Sequence, residues 1–161
     1  MEVTRDAKVS TLEVTQGLYS KKGVINVNAG DFTLEENRSG SVLMVSGTPG
    51  TITMPTFASV GTNYTFLFND THTPLRLDFG TEKLQGTIYN VSGGLSGTFG
   101  QSETVIRSTA IGTKLDVLGD SSGKYTELEC LKVAYDKTTD TTNEWFIRGQ
   151  TDNLKRIKFR T

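Results

Sequence analysis

The most ordered pattern of apolar and polar positions lies in residues 39–69. Ser39-Gly40 precedes a short apolar run at 42–45, too brief for a helix, which Ser46-Gly47-Thr48-Pro49-Gly50 closes. Runs of this length between turn residues read as buried strands. Thr51, Ile52, Thr53 and Met54 then alternate polar with apolar, and Pro55 ends the pairing because it has no N–H to give. After a turn at Val60-Gly61-Thr62, the residues Tyr64, Phe66 and Phe68 fall on one strand face at period two. So many strands in so short a stretch leave no room for helical crossovers. The pattern predicts an antiparallel meander with its aromatic row at the heart of the core.

Outside this stretch the alternation continues. Leu12, Val14 and Leu18 share a parity, and Gly23 leads into Val24-Ile25-Asn26-Val27. Residues 31–37 are ambiguous: Thr33 and Glu36 have capping-box spacing, but Ser39-Gly40 stands where a helix would continue its apolar face. The reading adopted is a short strand and a turn, with a single helical turn as the alternative. Leu75, Leu77 and Phe79 line one strand face, and Arg76 and Asp78 the other. Glycines 80, 86, 93, 94, 97 and 100 crowd a loop or a set of hairpin tips, interrupted by residues 84–91. Further strands are expected at 103–109, 114–118, 126–135, 144–148 and 155–159. Strands at this close spacing, without a sustained helical period, predict an all-β chain. The expected form is a single-domain antiparallel β-sandwich or jelly-roll-like barrel over residues 9–161, behind a flexible arm at 1–8. No repeat of fixed period stands out.

Composition narrows the possible functions. Hydrophobic residues make up 35% of the 161 residues, a thin core for the length, which suggests further burial at a subunit interface. The net charge of −1 calls for neither nucleic acid nor anionic lipid. One cysteine, Cys130, excludes an intrachain disulfide and a cysteine-based zinc site. The polar segment 1–8 lacks a signal-peptide core, and no stretch approaches a membrane span, so the expectation is a soluble protein made in a cytoplasm.

Candidate chemistry is sparse, and no enzyme activity is expected. His72, the single histidine, lies in a turn ahead of Pro74 and reads as solvated rather than catalytic or metal-binding. Cys130 reads as a small buried hydrophobe. Asp116, Asp120, Asp136 and Asp140 could offer oxygens to calcium, but their spacing is not that of an EF-hand, and Asx turns explain them without a metal. The glycines at 93–100 form no phosphate cradle, since neither a helix start nor a Lys-Ser/Thr pair follows. Sequons at Asn37, Asn63, Asn69 and Asn90 are products of a Ser- and Thr-rich composition. No cofactor is expected. At the C-terminus, period two places Arg156, Lys158 and Arg160 on one face, and Ile157 and Phe159 on the other. This is either a charge-guarded edge strand or a basic strip that faces an acidic neighbour in an assembly.

Thr33-Leu34, Ser39-Gly40, Thr51-Ile52-Thr53-Met54-Pro55, Val60-Gly61-Thr62 and Tyr64-Thr65-Phe66 together resemble a module of phage virion proteins. The module occurs in capsid decoration (cement) proteins and in marine-phage tail-fibre segments. Leu84-Gln85-Gly86 is similar to its later apolar-x-Gly step, Trp145-Phe146-Ile147 to its closing strand, and residues 10–15 to its opening strand. Met54 departs from the leucine commoner in the module. The resemblance implies a non-enzymatic homotrimer on the virion, most simply a decoration protein seated on the major capsid protein. A tail-fibre or receptor-binding tip that reads a host glycan or surface protein is the alternative. Length favours decoration, because a fibre would need a shaft or an attachment domain. On this reading Arg5, Lys8, Arg156, Lys158 and Arg160 are candidate docking residues, while Tyr64, Phe66, Phe68 and Trp145 form the core.

Overall fold

The computed structural model describes residues 23–90, 106–107, 113–119, 126–134, 144–151 and 156–160. The segment 1–8 with Arg5 and Lys8, the opening strand at 10–15, the glycines at 93–100, and Asp120, Asp136 and Asp140 lie outside them.

The described chain is all-β. Its strands are β1 (Val24–Thr33), β2 (Val42–Thr53), β3 (Asn63–His72), β4 (Leu75–Asp78), β5 (Lys83–Asn90), β6 (Ile106–Arg107), β7 (Lys114–Val117), β8 (Thr126–Ala134), β9 (Glu144–Thr151) and β10 (Ile157–Arg160). They form one curled mixed sheet, a half-barrel, in the order β10-β7-β4-β2-β3-β8-β9-β5-β6, with β1 also paired to β2. An antiparallel β-sandwich or jelly-roll-like barrel was expected; the all-β chain instead forms a single curled sheet with parallel pairs, which is not clearly a sandwich.

The opening segment departs most from expectation. β1 runs parallel to β2, and β2 runs parallel to both β3 and β4. The meander is therefore a stack of parallel coils. Residues 42–53 are one strand, and the Ser46-Gly47-Thr48-Pro49-Gly50 segment is a corner within it. Before the corner β2 pairs with β3, and after it with β4. The connections at 34–41 and 54–62 take the place of the helical crossover that parallel strands usually need. The first connection contains a 3-10 turn, Glu36–Arg38, so the single helical turn is present and β1 ends before it.

Contacts between coils fix the corner. Gly47 has φ +67, and a Cβ there would lie 2.6 Å from the Asn28 carbonyl oxygen. A Cβ on Gly50 would lie 2.2 Å from Asp31 Oδ1, the atom that accepts the Thr51 N–H at 2.7 Å. Main-chain bonds from Leu34 N to Thr53 O, Met54 N to Asp78 O and Thr73 N to Gly47 O lock successive coils together.

The same register stacks the core. Ile25 lies beside Leu43 and Leu43 beside Phe66, while Val27, Val45 and Phe68 form the next row. Beyond the corner, Phe32, Ile52 and Leu77 form a third. Tyr64, Phe66, Phe68 and Trp145 are all buried, as are Leu75, Leu77, Phe79 and Cys130. The Trp145 ring lies 6.3 Å from Tyr64 and 5.7 Å from Phe79, both within the range of favourable aromatic pairs.

Tyr64 gives this core an alkaline limit. Its hydroxyl donates to the Glu35 carbonyl oxygen at 2.8 Å, and burial, with Glu36 nearby, pushes the phenol up to about 12. An unfolded tyrosine ionises near pH 10, so the unfolded chain loses this proton first. The Tyr64 contribution is whole below about pH 10 and falls as pH rises toward about 12. Denaturant titrations of Tyr64→Phe should show about 1 kcal/mol less stability at pH 8 and a shallower decline above pH 10.

Candidate functional site

Along β4 and β7, side chains of one parity enter the core and those of the other face outward. The outward set on β4, β7 and β10 is charged. Cross-strand register aligns Arg76, Asp116 and Lys158 in one row and Asp78, Lys114 and Arg160 in the next. Arg76 grips Asp116 with two bonds, Nε to Oδ1 at 2.7 Å and NH2 to Oδ2 at 3.1 Å. Arg160 Nε reaches the same carboxylate at 3.2 Å, and Lys114 lies 3.8 Å from Asp78. The Arg76 hydrogen bond, with a smaller contribution from Arg160, holds the Asp116 carboxyl below the usual carboxylate range. Asp116 is therefore committed to arginines, and among the described residues no group of three His, Cys, Asp or Glu side chains could hold a metal ion.

The expected C-terminal strip is split. Lys158 and Arg160 face outward on β10, but Arg156 precedes the strand and is buried. Its Nε donates to the Leu118 carbonyl oxygen at 3.0 Å, and its NH2 reaches His72 Nε2 at 3.2 Å. His72 Nδ1 lies 2.7 Å from the Thr73 carbonyl oxygen, which can only accept, so Nδ1 carries the proton and Nε2 accepts from Arg156. His72 is thus the buried end of β3, packed 5.2 Å from the Phe68 ring, and not a solvated loop residue. A strict period of two fails at Arg156 because the residue lies ahead of the strand, which begins at Ile157.

A second polar cluster lies inside the sheet. Lys132 on β8 shares the inward parity of Leu128 and Cys130, and its side chain is fully buried. Lys132 Nζ lies 2.7 Å from Glu82 Oε2, which also accepts the Trp145 indole N–H. The other oxygen, Glu82 Oε1, accepts the Phe57 main-chain N–H at 3.1 Å. Lys132 Nζ also lies 5.5 Å from the centre of the Trp145 ring. This network anchors the connection at 54–62, where Phe57 is held at φ 59 with its ring exposed. The period-two pattern of β8 carries the signal for it, since Lys132 falls on an apolar face and so requires a buried acid. No sequence signal marks Glu82 as that acid.

The outward charge lattice is the candidate docking surface. It combines two residues expected from sequence, Lys158 and Arg160, with two that sequence reasoning left unassigned, Arg76 and Lys114. The alternation of Arg76 with Leu77 and of Lys114 with Leu115 was the available signal for the latter pair. Compared with protein-family models, curated proteins and solved structures, the chain matches none of them.

Proposed function

We propose that this chain is a virion structural protein, a capsid decoration protein that binds the outer surface of the major capsid protein as a homotrimer. The observation that carries the reading is the outward lattice on β4, β7 and β10, where Arg76, Lys114, Lys158 and Arg160 outnumber Asp78 and Asp116. Arrayed on a rigid sheet, these charges suit an acidic protein surface and fix its register by complementarity. The thin core and the resemblance to virion modules support a subunit that completes its burial in an assembly.

Binding of the purified chain to empty capsids tests the docking surface. Lys158→Glu and Arg160→Glu should each slow association by roughly threefold to tenfold, and added salt should weaken binding of the parent chain as screening shortens to about 8 Å at 0.15 M. Arg156→Ala should lower thermal stability, because that guanidinium supports His72 and Leu118 inside the fold. Salt-independent binding that survives both charge reversals would overturn the assignment of this surface.

A receptor-binding tip is the second reading. The half-exposed Tyr89 on β5, above a shallow groove, favours it.

A further inference from the structure

We infer that the open edge of β1 is an acceptor for one further parallel strand, and that the strand it takes is residues 6–15 of this chain. β2 is paired on both sides, by β1 on one and by β3 and β4 on the other. Among the described residues no strand pairs with the far side of β1. A free sheet edge is ordinarily guarded by lysine, proline or inward-pointing charge. β10, at one end of the sheet, carries Lys158 and Arg160 in this way. β1 has no lysine, arginine or proline, and its single charge, Asp31, already accepts the Thr51 N–H. This edge is built to be covered.

The apolar rows are also unfinished there. Leu43 and Ile52 of β2 are fully buried, whereas their neighbours on β1, Ile25 and Phe32, are only partly so. Gly30, beside the buried Pro49, has φ +71, and among the described residues nothing lies within 4 Å of a Cβ built on it. The last coil of such a stack needs a cap over its apolar row.

The chain holds a matching segment at the matching distance. Val24 lies beside Val42, 18 residues further on, and the eight residues 34–41 connect the two strands. The same step back from Val24 reaches Asp6, and again leaves eight residues, 16–23, as the connection. In that register Ala7, Val9, Leu12 and Val14 fall beside Ile25, Val27, Gly30 and Phe32, which lead the columns of Leu43, Val45, Pro49 and Ile52. Those four are all the apolar residues of 6–15, and each meets an apolar column. A slip of one residue would put Asp6, Lys8, Thr11 and Glu13 there instead, so parity fixes the register. Lys8 then stands outward beside Asn26, as a fixed cation on the coil stack.

Hydrogen exchange read by mass spectrometry on the full chain tests this. The expected result is protection of the amides of 6–15 at least tenfold over a synthetic peptide of residues 1–22. Val9→Asp and Val14→Asp should each remove that protection and speed exchange in β1 tenfold or more. Ser10→Asp, of opposite parity, should leave both unchanged. Amides of β3 and β8, inside the sheet, report in every variant that the rest of the fold persists. A second measurement places cysteines at Lys8→Cys and Asn26→Cys, since paired strands about 4.8 Å apart bring Cα atoms within disulfide reach. The double variant should lose two hydrogens within a single chain on mild oxidation. Unprotected amides at 6–15, or equal effects of Val9→Asp and Ser10→Asp, would overturn the pairing. A disulfide between chains, with protection that rises with protein concentration, would overturn it in favour of a second copy at this edge. None of these results bears on capsid docking, which the Lys158 and Arg160 variants test separately.

Discussion

Replacing Lys132 with methionine should lower the stability of this protein by about 3–5 kcal/mol, the usual cost of leaving one charge of a buried pair without its partner. The substitution keeps much of the length and apolar stem of the side chain, so the loss reports the missing ammonium rather than a large cavity. Glu82 would still accept the Phe57 N–H and the Trp145 indole N–H but would lose its cation 2.7 Å away. Adding Glu82→Leu removes the stranded carboxylate but takes the acceptor from the buried Trp145 indole N–H, at about 1–3 kcal/mol. The double variant should therefore stay below the parent in stability, and the two losses should not add. Urea denaturation of the four proteins in the cycle provides the check. Parent-like stability in Lys132→Met would show that the pair does not hold the 54–62 connection.

The second large effect is expected at Phe66. This ring is fully buried, with Leu43 of β2 beside it on one side and Leu128 of β8 on the other. It therefore joins the parallel coils to the antiparallel half of the sheet. Phe66→Ala should cost about 3–5 kcal/mol through lost transfer energy and the cavity left behind. Phe66→Leu should cost less, because it refills part of that volume. Both changes would shift the denaturant midpoint, and an unchanged midpoint in Phe66→Ala would contradict the burial of the row.

The particular residues show which parts of the fold the sequence could reveal. Alternation at Tyr64, Phe66 and Phe68 and at Leu75, Leu77 and Phe79 identifies strands and their inner faces, because side-chain parity is a local property. Strand direction is not local. Val42 and Ile52 alternate in the same way whether β3 runs with β2 or against it, and Gly47-Thr48-Pro49-Gly50 has a composition that serves a hairpin or a corner equally well. The coils also differ in length: Val24 lies beside Val42 and Val42 beside Thr65, so no fixed period emerges from the sequence. At the candidate docking surface, Lys158 and Arg160 were legible as outward cations on one strand. Their association with Arg76 and Asp116 depends on the pairing of β10, β7 and β4, which joins residues distant in sequence. Arg156 was misplaced because parity extends only as far as the strand does.

The proposed place of this chain is the capsid surface, as a trimer. On that proposal, cryo-electron microscopy of purified virions bound by an antibody fragment raised against this chain is the most direct test. The predicted result is fragment density over the capsid shell, in groups of three around shared axes. Fragment density confined to the tail, or absent from the particle, would contradict it.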